Sequence, residues 1–263
     1  MKTPQQHRHG RNGWLLALVC TGAILCHGAA NAQSSCASDG QRPPTELLER
    51  FINADCRTCW SDADTPVPQA GGIALDWILP GALGEEAPLS AAASRDATDR
   101  LGSLGKATPP SRLEHVQLAP NTAQQQASAA IDPQLRVARG IALNGYMGAS
   151  IELRLPAAAG QPKGGFQYPL TAWLVLTESV PAGVEGSPVN RELVRNSLVA
   201  TWTAPVAPAS GLGKRPPAAQ RRHFESRPMS LPAGANPDRI SVVGWVQDAR
   251  GRLLALARSV CST

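Results

Sequence analysis

Asn53 to Asp62, NADCRTCWSD, sets Cys56 and Cys59 three positions apart and follows them with Trp60. A C-x-x-C pair can do redox work, staple a turn or supply half of a metal site. The redox use has a mechanism in these residues. If Cys56 starts a helix, unpaired backbone N–H groups and the helix dipole stabilise its thiolate. Arg57 adds positive charge beside it, and Cys59, one turn on, can attack a mixed disulfide and release the partner. Asp55 acts against this, raising the thiol pKa if its carboxylate points inward. Zinc cysteine sites usually come as two closely spaced pairs; only one such pair exists here, so no metal is expected. The chain has no G-x-S-x-G, no H-E-x-x-H and no phosphate-cradling glycine loop, and no cofactor is expected. His115, in an alternating stretch, and His223, among basic residues, read as structural.

The elements that must position this pair begin after a leader. Residues 1–32 carry Lys2, Arg8 and Arg11 without an acid, then the apolar run WLLALVCTGAILC, then AANA. That order is expected of a secretory signal peptide cleaved before Gln33. Cleavage takes three basic residues from the total of 25, leaving 22 against 20 acidic ones. So slight an excess predicts no nucleic-acid partner. No later segment is apolar for long enough to span a bilayer as a helix, so no membrane association is expected after cleavage. The expected location is the periplasm or outside the cell. There disulfides persist, and the remaining cysteines, Cys36, Cys56, Cys59 and Cys261, allow three pairings. The simplest is 56–59 and 36–261, the second tying the chain ends together.

Along the chain, TELLERFINADC reads as a strand running into the cysteines, with a short helix through Glu46–Phe51 as the alternative. GGIALDWILPG reads as a strand stopped by Pro80 and Gly81. PLSAAASRDATDRLGSLG is the best helix, with Ser90 as its N-cap and Gly102 and Gly105 to end it. RLEHVQLAP alternates like a strand. From Leu135 onward LRVARGIALNG, SIELRLP, TAWLVLTES, ELVRNSLVATW, ISVVGWVQD and GRLLALARS carry strand signals. QDARGR between the last two predicts a hairpin turn with Asp248 opening it and Gly251 at positive φ. Residues 203–228, rich in Pro, Ala and Arg, read as a long exposed loop whose Lys214, Arg215, Arg221, Arg222 and Arg227 could meet an acidic partner. Trp60, Trp77, Trp173, Trp202 and Trp245 lie in or beside apolar segments and are expected as core anchors.

ELLERFINADCRTC followed by IALDW, together with AWLVLTESV, RELVRNSLVATW and VVGWVQDARGRLLALA, is similar to a bacterial exported family of uncharacterised proteins. In that family a thioredoxin-like C-x-x-C domain precedes a small β-domain. The resemblance covers most of the chain after the leader. It implies a degenerate thioredoxin-like α/β domain over 33–134; the roughly six or seven short strands expected over 135–263 read by themselves as an antiparallel β-sandwich or open barrel, so the whole is expected to be α+β. The resemblance implies thiol–disulfide exchange on exported proteins, with Cys56 attacking and Cys59 resolving. It also implies a cis-proline facing the cysteines, for which Thr108-Pro109 is the match. Some residues depart from the family pattern. Pro66 and Pro68 cut short any helix after Cys59, and Ala54-Asp55 stands where efficient thioredoxins have an aromatic residue. The residues therefore leave two readings open: an exchange enzyme, or a non-enzymatic envelope protein that binds a partner and whose disulfides are both structural.

Overall fold

In the computed structural model the described residues are 36–109, 113–119, 134–155, 167–204 and 221–261. The expected leader, and Lys214 and Arg215 of the basic stretch, lie outside them. Residues 34–263 make one compact unit. Strands dominate it because apolar, β-branched runs recur at short intervals between Gly, Pro and Asp turns.

Two sheets hold the chain. The five-stranded one has the order β12 (Val260–Cys261), β1 (Cys36–Ala37), β5 (Gln134–Leu143), β6 (Tyr146–Leu155), β9 (Arg221–Ser230). The seven-stranded one has the order β11 (Leu253–Arg258), β10 (Ile240–Gln247), β7 (Leu170–Val180), β8 (Arg191–Trp202), β3 (Ile73–Leu79), β2 (Leu47–Asn53), β4 (Leu113–Leu118). Two α-helices occur among the described residues: α1 (Arg57–Trp60) and α2 (Arg95–Ser103).

This overturns the α+β, thioredoxin-like expectation: the protein is mostly β. A thioredoxin-like domain needs helices of several turns on both faces of its sheet, and the local sequence does not supply them. After Cys59 the helix ends within one turn, before Pro66 and Pro68, as proline requires. The boundary at 134/135 does not separate two sheets either. Strands β2 and β3, from before it, join β7, β8, β10 and β11 in one sheet through a parallel contact at Asp76 and Leu193.

Alternation along the strands sorts their side chains onto two faces. On one face of the seven-stranded sheet, Phe51, Leu75, Trp77, Trp173, Val175, Val243 and Trp245 pack against Ala97 and Leu101 of α2. On the other face, Leu170, Ala172, Leu174, Leu176 and Val242 meet Val137, Met147, Ile151 and Leu153 of the five-stranded sheet, which gives a sandwich. Beside that sandwich, Ile52 and Ile78 are covered by Cys56, Cys59 and Trp60. All five expected tryptophans are buried.

Among the described residues the elements depart from the sequence expectations at two places. The strands at 47–53, 73–79 and 113–118 form, and the 248–251 turn closes with Gly251 N–H donating to the Asp248 carbonyl at 2.8 Å. The best helix starts later than Ser90: Ser90–Ala92 is a 3-10 turn, and Ser94 caps α2 by accepting from Ala97 N–H at 3.2 Å. The second departure is the 203–228 loop, whose end is strand β9, paired with β6 along its whole length. β9 is an edge strand, where Pro228 is tolerated, and its pairing comes from backbone bonds more than from apolar burial.

Candidate functional site

The cysteine turn begins where β2 ends. Asn53 is buried; its side-chain oxygen accepts from Asp55 N–H at 2.9 Å, and its side-chain amide donates to the Pro109 carbonyl at 3.1 Å. Cys56 N–H donates to the Asn53 carbonyl and Ala54 N–H to the Leu79 carbonyl, each at 2.9 Å. The Asp55 carboxylate turns toward the exit of β3, accepting from Ala82 N–H at 2.8 Å and Leu83 N–H at 3.3 Å. It is therefore occupied in holding the 81–83 turn.

Two disulfides form, in the expected pairing: Cys36–Cys261 and Cys56–Cys59. The first joins β1 to β12, where the two cysteines face each other across the ladder. The second lies just beneath the surface. Cys56 and Cys59 are 6% and 9% exposed, while Arg57 and Thr58 between them are exposed. The Thr58 hydroxyl sits 3.6 Å from the Cys56 sulfur. α1 is a single turn, so its dipole offers far less to a Cys56 thiolate than a full helix would.

The charge behind the pair comes from residues that sequence reasoning missed. Arg191, at the start of β8 and fully buried, donates from Nη2 to the carbonyls of Cys59 at 3.3 Å and Trp60 at 2.7 Å, and to Thr65 Oγ1 at 3.2 Å. Its Nε donates to Ser187 Oγ at 2.9 Å and its Nη1 to Asp76 at 3.0 Å. The guanidinium lies 4.9 Å from the centre of the Trp60 ring, and Trp60 Nε1 donates to the Glu185 carbonyl at 2.8 Å. Asp76, also fully buried, pairs with Arg50 as well and accepts from Glu192 N–H at 3.1 Å. Arg50 donates from Nη1 to the Pro66 carbonyl at 3.1 Å. Burial pushes the Arg191 pKa down, and Asp76 opposes that shift; an arginine so placed stays cationic at neutral pH. A signal existed in the sequence: Arg50 and Asp76 interrupt apolar runs in LLERFIN and IALDWIL, where a charge needs a partner.

Other expected residues fall elsewhere. The one cis peptide bond among the described residues precedes Pro169, not Pro109; the Pro109 carbonyl accepts from the Asn53 side chain. His115 is exposed on β4, and His223 stacks on Trp202 at 5.1 Å and lies 3.1 Å from the Tyr168 hydroxyl. Arg222 and Arg227 are ion-paired, with Glu152 and Glu225. Glu152 is held down to about 2 by the Arg222 and Arg154 hydrogen bonds, which outweigh its burial.

Among the described residues no helix is long and apolar enough to cross a membrane. Compared with known proteins, the chain matches no family model, and no curated protein is significantly similar to it.

Proposed function

We propose that this is an exported β-protein whose Cys56–Cys59 bond opens and closes by thiol–disulfide exchange with other exported thiol or disulfide proteins. The observation that carries this reading is that the bond does little for the fold. It spans a sequence separation of 3, which stabilises by only about 2 kcal/mol in the chain-entropy account. The turn it closes is held independently by Arg191 on two carbonyls, by Trp60 on Glu185 and by the bonds around Asn53. A bond whose opening leaves its surroundings in place can cycle. An incoming thiolate attacks the Cys56 sulfur and releases Cys59; in the reduced protein Cys56 attacks and Cys59 resolves. Two disulfides support a location in the periplasm or outside the cell, where such bonds persist. The likeness of the strand-and-cysteine stretch to the exported C-x-x-C family is, on the same footing, a proposal of kinship, without the thioredoxin-like architecture.

The test is a redox titration at pH 7 with peptide mapping, together with insulin reduction and scrambled-substrate turnover. The 56–59 bond should equilibrate between about −120 and −300 mV while 36–261 stays closed. A 56–59 bond that stays locked across that range, with no turnover, sinks the exchange reading.

A second reading is favoured by the burial of both cysteines and the one-turn helix. The protein is then a non-enzymatic envelope binder or structural protein in which both disulfides are structural. Under it, Cys56→Ser loses some stability and leaves partner capture intact.

A further inference from the structure

We propose that the buried Arg191–Asp76–Arg50 cluster sets the redox equilibrium of Cys56–Cys59, its excess positive charge favouring the reduced, thiolate-bearing state. The inference rests on the exchange reading above and names the residues that regulate that same pair.

The charges around the pair are unequal. Two guanidinium groups, Arg191 and Arg50, share one carboxylate, Asp76, and the side chains of all three are fully buried. The nearby acids are engaged elsewhere. Glu192 takes Arg258, Thr177 and Ser179; Asp55 takes the 82–83 backbone; Asp62 reaches Arg191 only from the exposed side. Arg50 Nε has no acceptor among the described residues. One positive charge is thus left buried away from solvent, where charge interactions are less screened than at the surface. Arg191 brings it to the pair itself, because its Nη2 donates to the carbonyl of Cys59.

Reduction by a dithiol places a negative charge there. One thiolate of the dithiol attacks the Cys56 sulfur, a sulfur–sulfur bond forms, and the Cys56–Cys59 bond breaks with its electron pair on Cys59. The second thiol, deprotonated to solvent, attacks the dithiol's own sulfur in the mixed disulfide. Cys56 leaves and takes up a proton, and the dithiol departs as a disulfide with two electrons transferred. The Cys59 thiolate then belongs to the residue whose carbonyl accepts from Arg191 Nη2 at 3.3 Å, within the field of that guanidinium. An oxidised pair carries no such charge and gains nothing from it.

Opposite signs separate this role from a structural one. Arg191→Met removes the excess charge and should shift the 56–59 equilibrium about tenfold toward the disulfide, or about 30 mV more reducing. Asp76→Asn adds to the excess and should shift it several-fold the other way. Both variants break a buried ion pair, so mere loosening of the turn would move both in the same direction. Should either fail to fold, Asp62→Asn, a surface change, gives a smaller shift in the Asp76→Asn direction that vanishes at high salt. The measurement uses the full protein equilibrated with dithiothreitol at pH 7, acid-quenched, alkylated and mapped, with Cys36–Cys261 as internal control. Shifts of equal sign, or none, overturn the role of the cluster while leaving exchange intact. A wild-type pair that does not equilibrate at all overturns both.

Discussion

Removing the two disulfides one at a time should give losses in a definite order. Cys36 and Cys261 are 225 positions apart and Cys56 and Cys59 are 3 apart. Restricting the unfolded chain by loops of those sizes is worth about 5 and about 2 kcal/mol respectively. Replacing each pair by alanine also removes sulfur atoms from packing. That matters more at Cys56 and Cys59, which are buried against Ile52, Trp60 and Leu193, and adds about 1 kcal/mol there. Cys36→Ala/Cys261→Ala should therefore be the less stable double variant by about 2 kcal/mol, or ~4–8 °C in Tm for a chain of this size. Equilibrium urea unfolding of both double variants beside wild type, by tryptophan fluorescence, reads the difference directly. The five buried tryptophans report on both faces of the large sheet. If loss of the 56–59 bond costs as much as loss of 36–261, the turn is not held by Arg191, Trp60 and Asn53 as described. The premise that this bond opens cheaply then fails with it.

Three further outcomes check the packing and the charges. Because Glu152 is held down to about 2, its ion pairs stabilise the fold above about pH 4.5 and that stability is lost as pH falls toward 2. Its partners Arg154 and Arg222 are half exposed, so solvent screening limits the loss to about 1 kcal/mol, and the Tm gap between wild type and Glu152→Gln should close between pH 6 and pH 2. An alanine at Gly81 would place its Cβ 2.0 Å from an Asp55 carboxylate oxygen; Gly81→Ala should cost about 1–2 kcal/mol, with Asp55→Ala recovering part of it in a double-mutant cycle. Gly244 faces the five-stranded sheet, and an added Cβ would sit 2.6 Å from Val137 Cγ1. Gly244→Ala should cost about 1–3 kcal/mol by urea unfolding, with Val137→Ala as the rescuing change.

The strands were legible where burial wrote a pattern. LLERFIN, IALDWIL, TAWLVLTES and ISVVGWVQ are seven to nine residues of mostly apolar side chains between turn residues, and each forms its strand. β9 left no such trace: RRHFESRPMS is polar because it lies at a sheet edge and is held by backbone bonds to β6. The pairing of four cysteines was legible from their positions alone. Sheet membership was not. The merger of the expected domains depends on a parallel contact at Asp76 and Leu193, more than a hundred positions apart, and nothing in the period of either strand encodes that meeting.

The same contact explains why the cysteine site was only half visible. Asp76 belongs to β3 and Arg191 opens β8, so the two meet only because these strands lie side by side. Sequence reasoning placed positive charge on Arg57, the neighbour in the chain, yet Arg57 is exposed and the one-turn helix does little to aim a dipole at Cys56. The buried guanidinium that touches the turn arrives instead from 132 positions away, donating to the Cys59 carbonyl. A buried acid in an apolar strand is costly unless something pairs with it. Asp76 in IALDWIL therefore called for a cation from elsewhere in the fold, and it received two, Arg50 and Arg191. The second of them reaches past the carboxylate to the cysteine turn, which makes the domain merger and the charge behind Cys59 one structural event.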